Sequence, residues 1–123
     1  MYKILVIDDE EEIVKVLEEF LIKAGFNVVP AGGGEKGVEV LKSDKKIDLM
    51  IMDMRMPKVN GVDVLKEMKR INKNIPVIIL TGSIDASKHE NDLKALGYSQ
   101  DDIVSKPIDL FLLLAMVKKK LPH

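Results

Sequence analysis

The chain has no cysteine and no tryptophan, and only 4% of its residues are aromatic. Without cysteine, disulfides and thiolate chemistry are excluded. The few aromatics do not interleave with a basic stripe, and the formal net charge is −1, so no nucleic-acid surface is expected. The longest apolar run, Leu110 to Val117, is far too short for a membrane span. Met1-Tyr2-Lys3 leads straight into a strand pattern rather than a signal peptide, so a cytoplasmic location is the default expectation. Internal repeats, low-complexity tracts and linkers are missing too. What is present is a chain of 123 residues, 46% hydrophobic and 32% charged, the balance of one domain with a single core.

Five short apolar runs lie near 3–8, 27–30, 48–53, 76–80 and 102–105. They alternate with helical patterns near 11–24, 34–43, 61–71, 85–96 and 109–120. The runs are continuous aliphatic and β-branched stretches, as expected when helices cover both faces of a sheet. Strict alternation with right-handed crossovers predicts an α/β fold, a three-layer sandwich around a parallel sheet. In the first helix Ile13, Leu17, Phe20 and Ala24 share a face and are expected to meet the core, with Val14 and Leu21 at its edge. Gly25 follows as a stop signal. Pro76 opens the fourth strand, where a missing N–H costs least.

The strand ends carry the chemistry. Ile4-Leu5-Val6-Ile7 runs into Asp8-Asp9, and Leu49-Met50-Ile51-Met52 runs into Asp53. Val77-Ile78-Ile79-Leu80 ends at Thr81, and Ile103-Val104-Ser105 ends at Lys106-Pro107. Ligands of a parallel sheet bind beyond the carboxyl ends of its strands. These ends therefore predict a pocket with three carboxylates, a hydroxyl and an ammonium. Converging carboxylates repel unless protonation, a lysine or a divalent cation offsets the charge. Hard oxygen donors suit Mg²⁺. Singly, Asp8 and Asp9 could cap a helix and Asp53 could end a strand by chance. The joint placement argues for a site.

Asp8-Asp9, the Asp53-Met54-Arg55-Met56-Pro57…Gly61 stretch, Thr81-Gly82 and Lys106-Pro107 follow in this order across almost the whole chain. In this the sequence resembles the receiver domain of bacterial two-component response regulators. The resemblance implies a five-stranded, doubly wound sheet of flavodoxin-like order 2-1-3-4-5, with residues 1–123 as the receiver domain. It implies that Asp53 accepts a phosphoryl group from a histidine kinase or phosphotransfer protein. Mg²⁺ would be held by Asp9, by Asp8 directly or through water, by Asp53 and by the backbone carbonyl of Arg55. Thr81 would hydrogen-bond a phosphoryl oxygen, and Lys106 would pair with it as a point charge. The Lys106-Pro107 bond would be cis, as in the family. Such a protein catalyses its own phosphorylation and slow hydrolysis and turns over no separate substrate.

Two departures from the family pattern bear on the readout. Ile103 stands three positions before the lysine, where the family usually has an aromatic switch residue. The stretch from Thr81 to Lys106 is longer than usual, with the excess placed at Gly97-Tyr98-Ser99-Gln100. Arg55 holds a position that tunes dephosphorylation in the family. It is expected to shield the acyl phosphate or to meet a partner, the plain alternative being a solvated arginine.

The last helix is apolar almost all round. Leu110, Leu113, Leu114 and Val117 share one face, leaving Phe111, Leu112, Ala115 and Met116 pointing outward. This second face is expected to be a protein interface, for a homodimer, a downstream protein target or an output domain, unless neighbouring helices cover it. The family often uses helix 4, strand 5 and helix 5 in this way. Met50, Met52, Met54 and Met56 alternate like soft-metal ligands, but packing is the expectation. His89 and His123 have no partner at metal spacing and are expected on the surface. Gly32-Gly33-Gly34 lacks the Lys-Ser/Thr of a P-loop and reads as the turn into the second helix. Lys118-Lys119-Lys120 suits the negative end of the last helix.

Two other functions stay open. One is a small Mg²⁺-dependent phosphatase with an aspartyl nucleophile. Arg55 stands against it, because that position needs a second acid–base Asp. The other is a phosphorylation-independent binding module on the same fold. No helix-turn-helix or catalytic appendage is visible, so the chain reads as a stand-alone regulator or as one domain of a larger one.

Overall fold

Alternating aliphatic runs and amphipathic stretches give alternating strands and helices. A computed structural model describes residues 1–44, 46–82 and 89–122. In chain order the elements are β1 (Lys3–Ile7), α1 (Glu11–Lys23), β2 (Asn27–Ala31), α2 (Gly34–Ser43), β3 (Leu49–Asp53) and α3 (Gly61–Arg70). They continue with β4 (Val77–Thr81), α4 (Glu90–Ala95), a 3₁₀ turn (Gln100–Asp102), β5 (Ile103–Ser105) and α5 (Leu110–Lys120). All strand pairs are parallel, in the order β2-β1-β3-β4-β5, as the resemblance implies. The expected start of the fourth helix, 85–88, lies outside the described residues.

The sheet separates two apolar cores. On one side Met50, Met52, Met54 and Met56 are buried with Leu41 of α2, and with Val62, Leu65 and Met68 of α3. The alternating methionines are therefore packing residues. On the other side Leu17 and Leu21 of α1, with Leu113 and Val117 of α5, cover Ile4, Val6, Ile51 and Leu80. The central strands β3 and β4 are buried along their whole length. The edge strand β2 is half-exposed, with Pro30 at its surface, and β5 at the other edge is only 3 residues long.

Helix α1 corrects one expectation. Its sheet-facing residues are Val14, Leu17 and Leu21, and Ile13 and Phe20 are half-buried on one flank. The apolar stripe is wide, and its periodicity does not say which half meets the sheet. The helix ends as predicted. Gly25 takes φ +98°, its N–H donates to the Ile22 carbonyl at 3.0 Å, and the Phe26 N–H donates to Leu21 at 3.1 Å. This is a Schellman stop, with Phe26 and Leu21 in the same apolar core. Asp109 caps α5, accepting from the N–H groups of Phe111 and Leu112 at 3.0 and 3.2 Å.

Candidate functional site

The site forms where β1, β3, β4 and β5 end side by side. Register pairs Ile7 with Met52, Asp53 with Leu80 and Thr81 with Ser105, so the residues at or just past these ends reach one edge together. The buried polar residues among those described are Asp8, Asp53 and Thr81, only 0%, 3% and 1% exposed. Three buried polar groups at one place need partners, because a desolvated charge is costly.

Asp8, Asp9 and Asp53 each offer a carboxylate oxygen, and these oxygens lie within 4.8 Å of one another. Asp8 Oδ1 accepts from the Glu10 N–H at 3.0 Å, and Asp53 Oδ1 accepts from the Arg55 N–H at 3.3 Å. Lys106 Nζ stands 3.3 Å from Asp53 Oδ2 and 3.8 Å from Asp8 Oδ2. The Lys106-Pro107 bond is cis, and the Lys106 N–H donates to the Thr81 carbonyl at 2.9 Å, tying the lysine to β4. The Thr81 hydroxyl donates to the Gly82 carbonyl at 2.9 Å.

Burial pushes the Asp8 carboxyl up to about 6; the Glu10 N–H opposes this rise and the Asp53 charge adds to it. Burial also raises Asp53, although Lys106 and the Arg55 N–H pull the other way. Burial alone would lower Lys106, but the attraction of Asp53 and Asp8 outweighs it and raises the ammonium. One ammonium offsets one of three negative charges. Among the described residues, the buried Asp8 Oδ2 makes no hydrogen bond. An orphaned hard oxygen beside two further carboxylates fits a small divalent cation.

Around this cluster runs an open cleft lined by Asp9, Glu10, Arg55, Met56, Pro57 and Gly82. Arg55 is exposed at its rim. The sequence reading missed Glu10, whose only signal was its place after Asp8-Asp9. The other singled-out residues lie elsewhere. Ile103 is half-buried in the methionine core and packs there with Tyr98, whose phenol is pushed up by burial and by the Asp102 charge. Gly97 to Gln100 lead from α4 into the 3₁₀ turn, which Ser99 caps. On α5, Phe111, Leu112 and Ala115 are exposed as expected. Met116 is not: it is half-buried against the core beneath α5, because it lies within about 60° of Leu113 around the helix. His89 is likewise less exposed than expected, its Nδ1 3.8 Å from Asp92. His123 lies outside the described residues.

Comparison with known proteins agrees with this geometry. A family model described as the response regulator receiver domain matches residues 4–118. Response regulator SaeR of Staphylococcus aureus is 39% identical over 108 residues, a match covering 87% of this chain and 45% of SaeR. The chain thus spans less than half the length of these curated relatives. A receiver domain protein from Clostridium thermocellum superposes with a TM-score of 0.87 at 32% identity, covering 98% of this chain and 94% of that one. Response regulator protein TrrA from Thermotoga maritima, crystallised in complex with Mg(2+)-BeF, superposes at 0.82 with 34% identity, covering 98% and 100%. With a family model matched over nearly its whole length, and with the residues at its strand ends converging on one cleft, this chain belongs to the response regulator receiver domain family.

Proposed function

We propose that the chain is a phosphoryl-accepting switch with Asp53 as its nucleophile. The observation that carries this reading is the approach of Lys106 Nζ to within 3.3 Å of Asp53 Oδ2, in a cleft that Asp8 and Asp9 also enter. In-line attack by an Asp53 oxygen on a phosphohistidine forms an O–P bond and breaks the P–N bond. The electron pair stays on the departing imidazole, which takes a proton from solvent. Asp8, Asp9, Asp53 and the Arg55 carbonyl would hold Mg²⁺, which when bound supplies positive charge to the phosphoryl oxygens. That TrrA, 34% identical, was crystallised in complex with Mg(2+)-BeF supports a Mg²⁺-dependent reading here. Lys106 meets one oxygen of the transferred group. The Thr81 hydroxyl exchanges its bond to Gly82 for a bond to another, drawing the end of β4 toward β3.

The donor is a histidine kinase or phosphotransfer protein, and a downstream protein or output domain reads the switch. With Ile103 packed in the core, no aromatic swings at the family's usual position, so the readout passes through β4 itself. Arg55 at the rim shields the acyl phosphate from water. Arg55→Ala should shorten its lifetime a few-fold, measured as the decay of the phosphorylated mass, and an unchanged decay removes this role.

Intact-mass spectrometry tests the main reading. With Mg²⁺ and acetyl phosphate the protein should gain one phosphoryl mass. The gain should vanish with EDTA and in Asp53→Asn. No gain in folded, Mg²⁺-binding protein, from acetyl phosphate or from a phosphorylated histidine kinase, would favour the phosphorylation-independent module.

A further inference from the structure

The run Gly32-Gly33-Gly34 is no P-loop, yet it stands beside the candidate site. It starts directly after Ala31, whose carbonyl accepts the Asp8 N–H at 3.2 Å. It ends on Gly34, the buried first residue of α2. No side chain caps this helix by a hydrogen bond, and glycine is a poor helix former, so local preference does not account for the run. Gly33 takes φ +151° with ψ 172°, a conformation essentially reserved for glycine. At Gly34 the reason is space. A methyl group there would overlap the Val59 carbonyl oxygen and stand 2.9 Å from Val59 Cβ and Cγ1.

Val59 belongs to the loop that joins Asp53 to α3. Both ends of this loop are pinned. The Met54 N–H donates to the Leu80 carbonyl at 2.9 Å, and the Gly61 N–H donates to the Met54 carbonyl at 2.9 Å. The middle is bonded only to itself. Among the described residues, the Arg55 N–H donates to Asp53 Oδ1 and the Val59 N–H to the Pro57 carbonyl, both within the same stretch. Lys58 sits at φ +65°, a region that residues with side chains seldom adopt. A strained loop of this kind keeps its shape only where its surroundings fix it. The start of α2, lying directly against the Val59 backbone, is such a support.

We propose that Gly34 is a positioning residue for cation binding. By letting α2 close onto Val59, it sets where the loop holds the Arg55 carbonyl relative to Asp8, Asp9 and Asp53. The glycine run thereby bridges two flanks of the site. It is bonded to Asp8 through Ala31 and seated on the loop through Gly34. This inference rests on the Mg²⁺ reading of the cleft and not on the transfer of a phosphoryl group to Asp53.

Calorimetric titration of Mg²⁺ into the full chain, with no phosphodonor present, tests this. Gly34→Ala should weaken Mg²⁺ binding about tenfold, the effect expected when a group that orients a metal ligand is disturbed. At saturating Mg²⁺ its rate of phosphoryl gain from acetyl phosphate should return to that of wild type, because Asp53, Thr81 and Lys106 are untouched. Val59→Gly should also weaken Mg²⁺ binding, by freeing the loop. Combined with Gly34→Ala it makes room for the methyl, so the double variant should bind Mg²⁺ more tightly than Gly34→Ala alone. Gly37→Ala is the packing control. Its methyl would overlap Ile7 Cδ1, the end of a flexible side chain, so it should lower Tm and leave Mg²⁺ affinity unchanged. Melts in chelator show which variants fold, and if Gly34→Ala does not, Val59→Gly decides alone. Unchanged affinity in Val59→Gly or in folded Gly34→Ala, additive losses in the double variant, or equal weakening by Gly37→Ala overturns the proposal. A wild type that binds Mg²⁺ but takes no phosphoryl group sinks the switch reading, and the affinities still decide this one. A wild type that binds no Mg²⁺ overturns both.

Discussion

Asp8 is held in a conflict between burial and charge. Its carboxyl is buried, one oxygen has no hydrogen-bond partner among the described residues, and burial lifts it to about 6 from an ordinary 3.8. A raised carboxyl means that the folded protein keeps a proton which the unfolded chain has already lost. Stability of the metal-free protein therefore falls as pH rises from about 4 to about 6, and the penalty is fully present above that window. Asp8→Asn in the presence of chelator should be more stable than wild type at neutral pH by roughly 1–3 kcal/mol. In urea denaturation the gain should shrink toward zero near the lower end of the window. A gain that persists there would mean that packing, not ionisation, distinguishes the two side chains.

Helix α5 separates buried from exposed apolar residues within two positions. Leu113 is fully buried beneath it, whereas Phe111 is 80% exposed. Leu113→Ala should cost about 2–5 kcal/mol in denaturant unfolding. Phe111→Asp in dilute protein should change stability by no more than about 0.5 kcal/mol. Similar losses in both would place Phe111 in the core. The elements also show what could be read from the chain. β1 and β3 are continuous aliphatic runs that must be covered on both faces, so their positions were legible to within a residue or so. α1 was legible as a helix, but its stripe from Ile13 to Ala24 is wide enough to dock in two ways. Contact with the sheet, which local periodicity does not encode, selected Val14 and Leu21. Met116 differs: its place about 60° from Leu113 around α5 already puts it beside the buried face, so its partial burial was legible in the periodicity.

At the scale of the whole molecule the site was readable because a parallel sheet aligns its strand ends, so polar residues at those positions must meet. Asp8, Asp9, Asp53 and Lys106 do meet. Glu10 at the rim and the turn of the Thr81 hydroxyl toward Gly82 depend on loop geometry and were not readable. If the cleft takes Mg²⁺, the ion binds the folded chain only. It should then raise stability by about 2.7 kcal/mol at a hundredfold excess over Kd. Protons compete for Asp8, so the rise in Tm should be larger near pH 8 than near pH 5. Equal shifts would mean that the ion sits elsewhere.

The two margins of the sheet carry a separate consequence. Pro30, at the surface of β2, has no amide proton to offer, and β5 stops after 3 residues at Lys106-Pro107. A strand from another molecule needs an unbroken row of free amides and carbonyls to attach. Neither margin supplies one. The fold is thereby guarded against growing sideways into fibres, and contacts between molecules are left to side chains on helices.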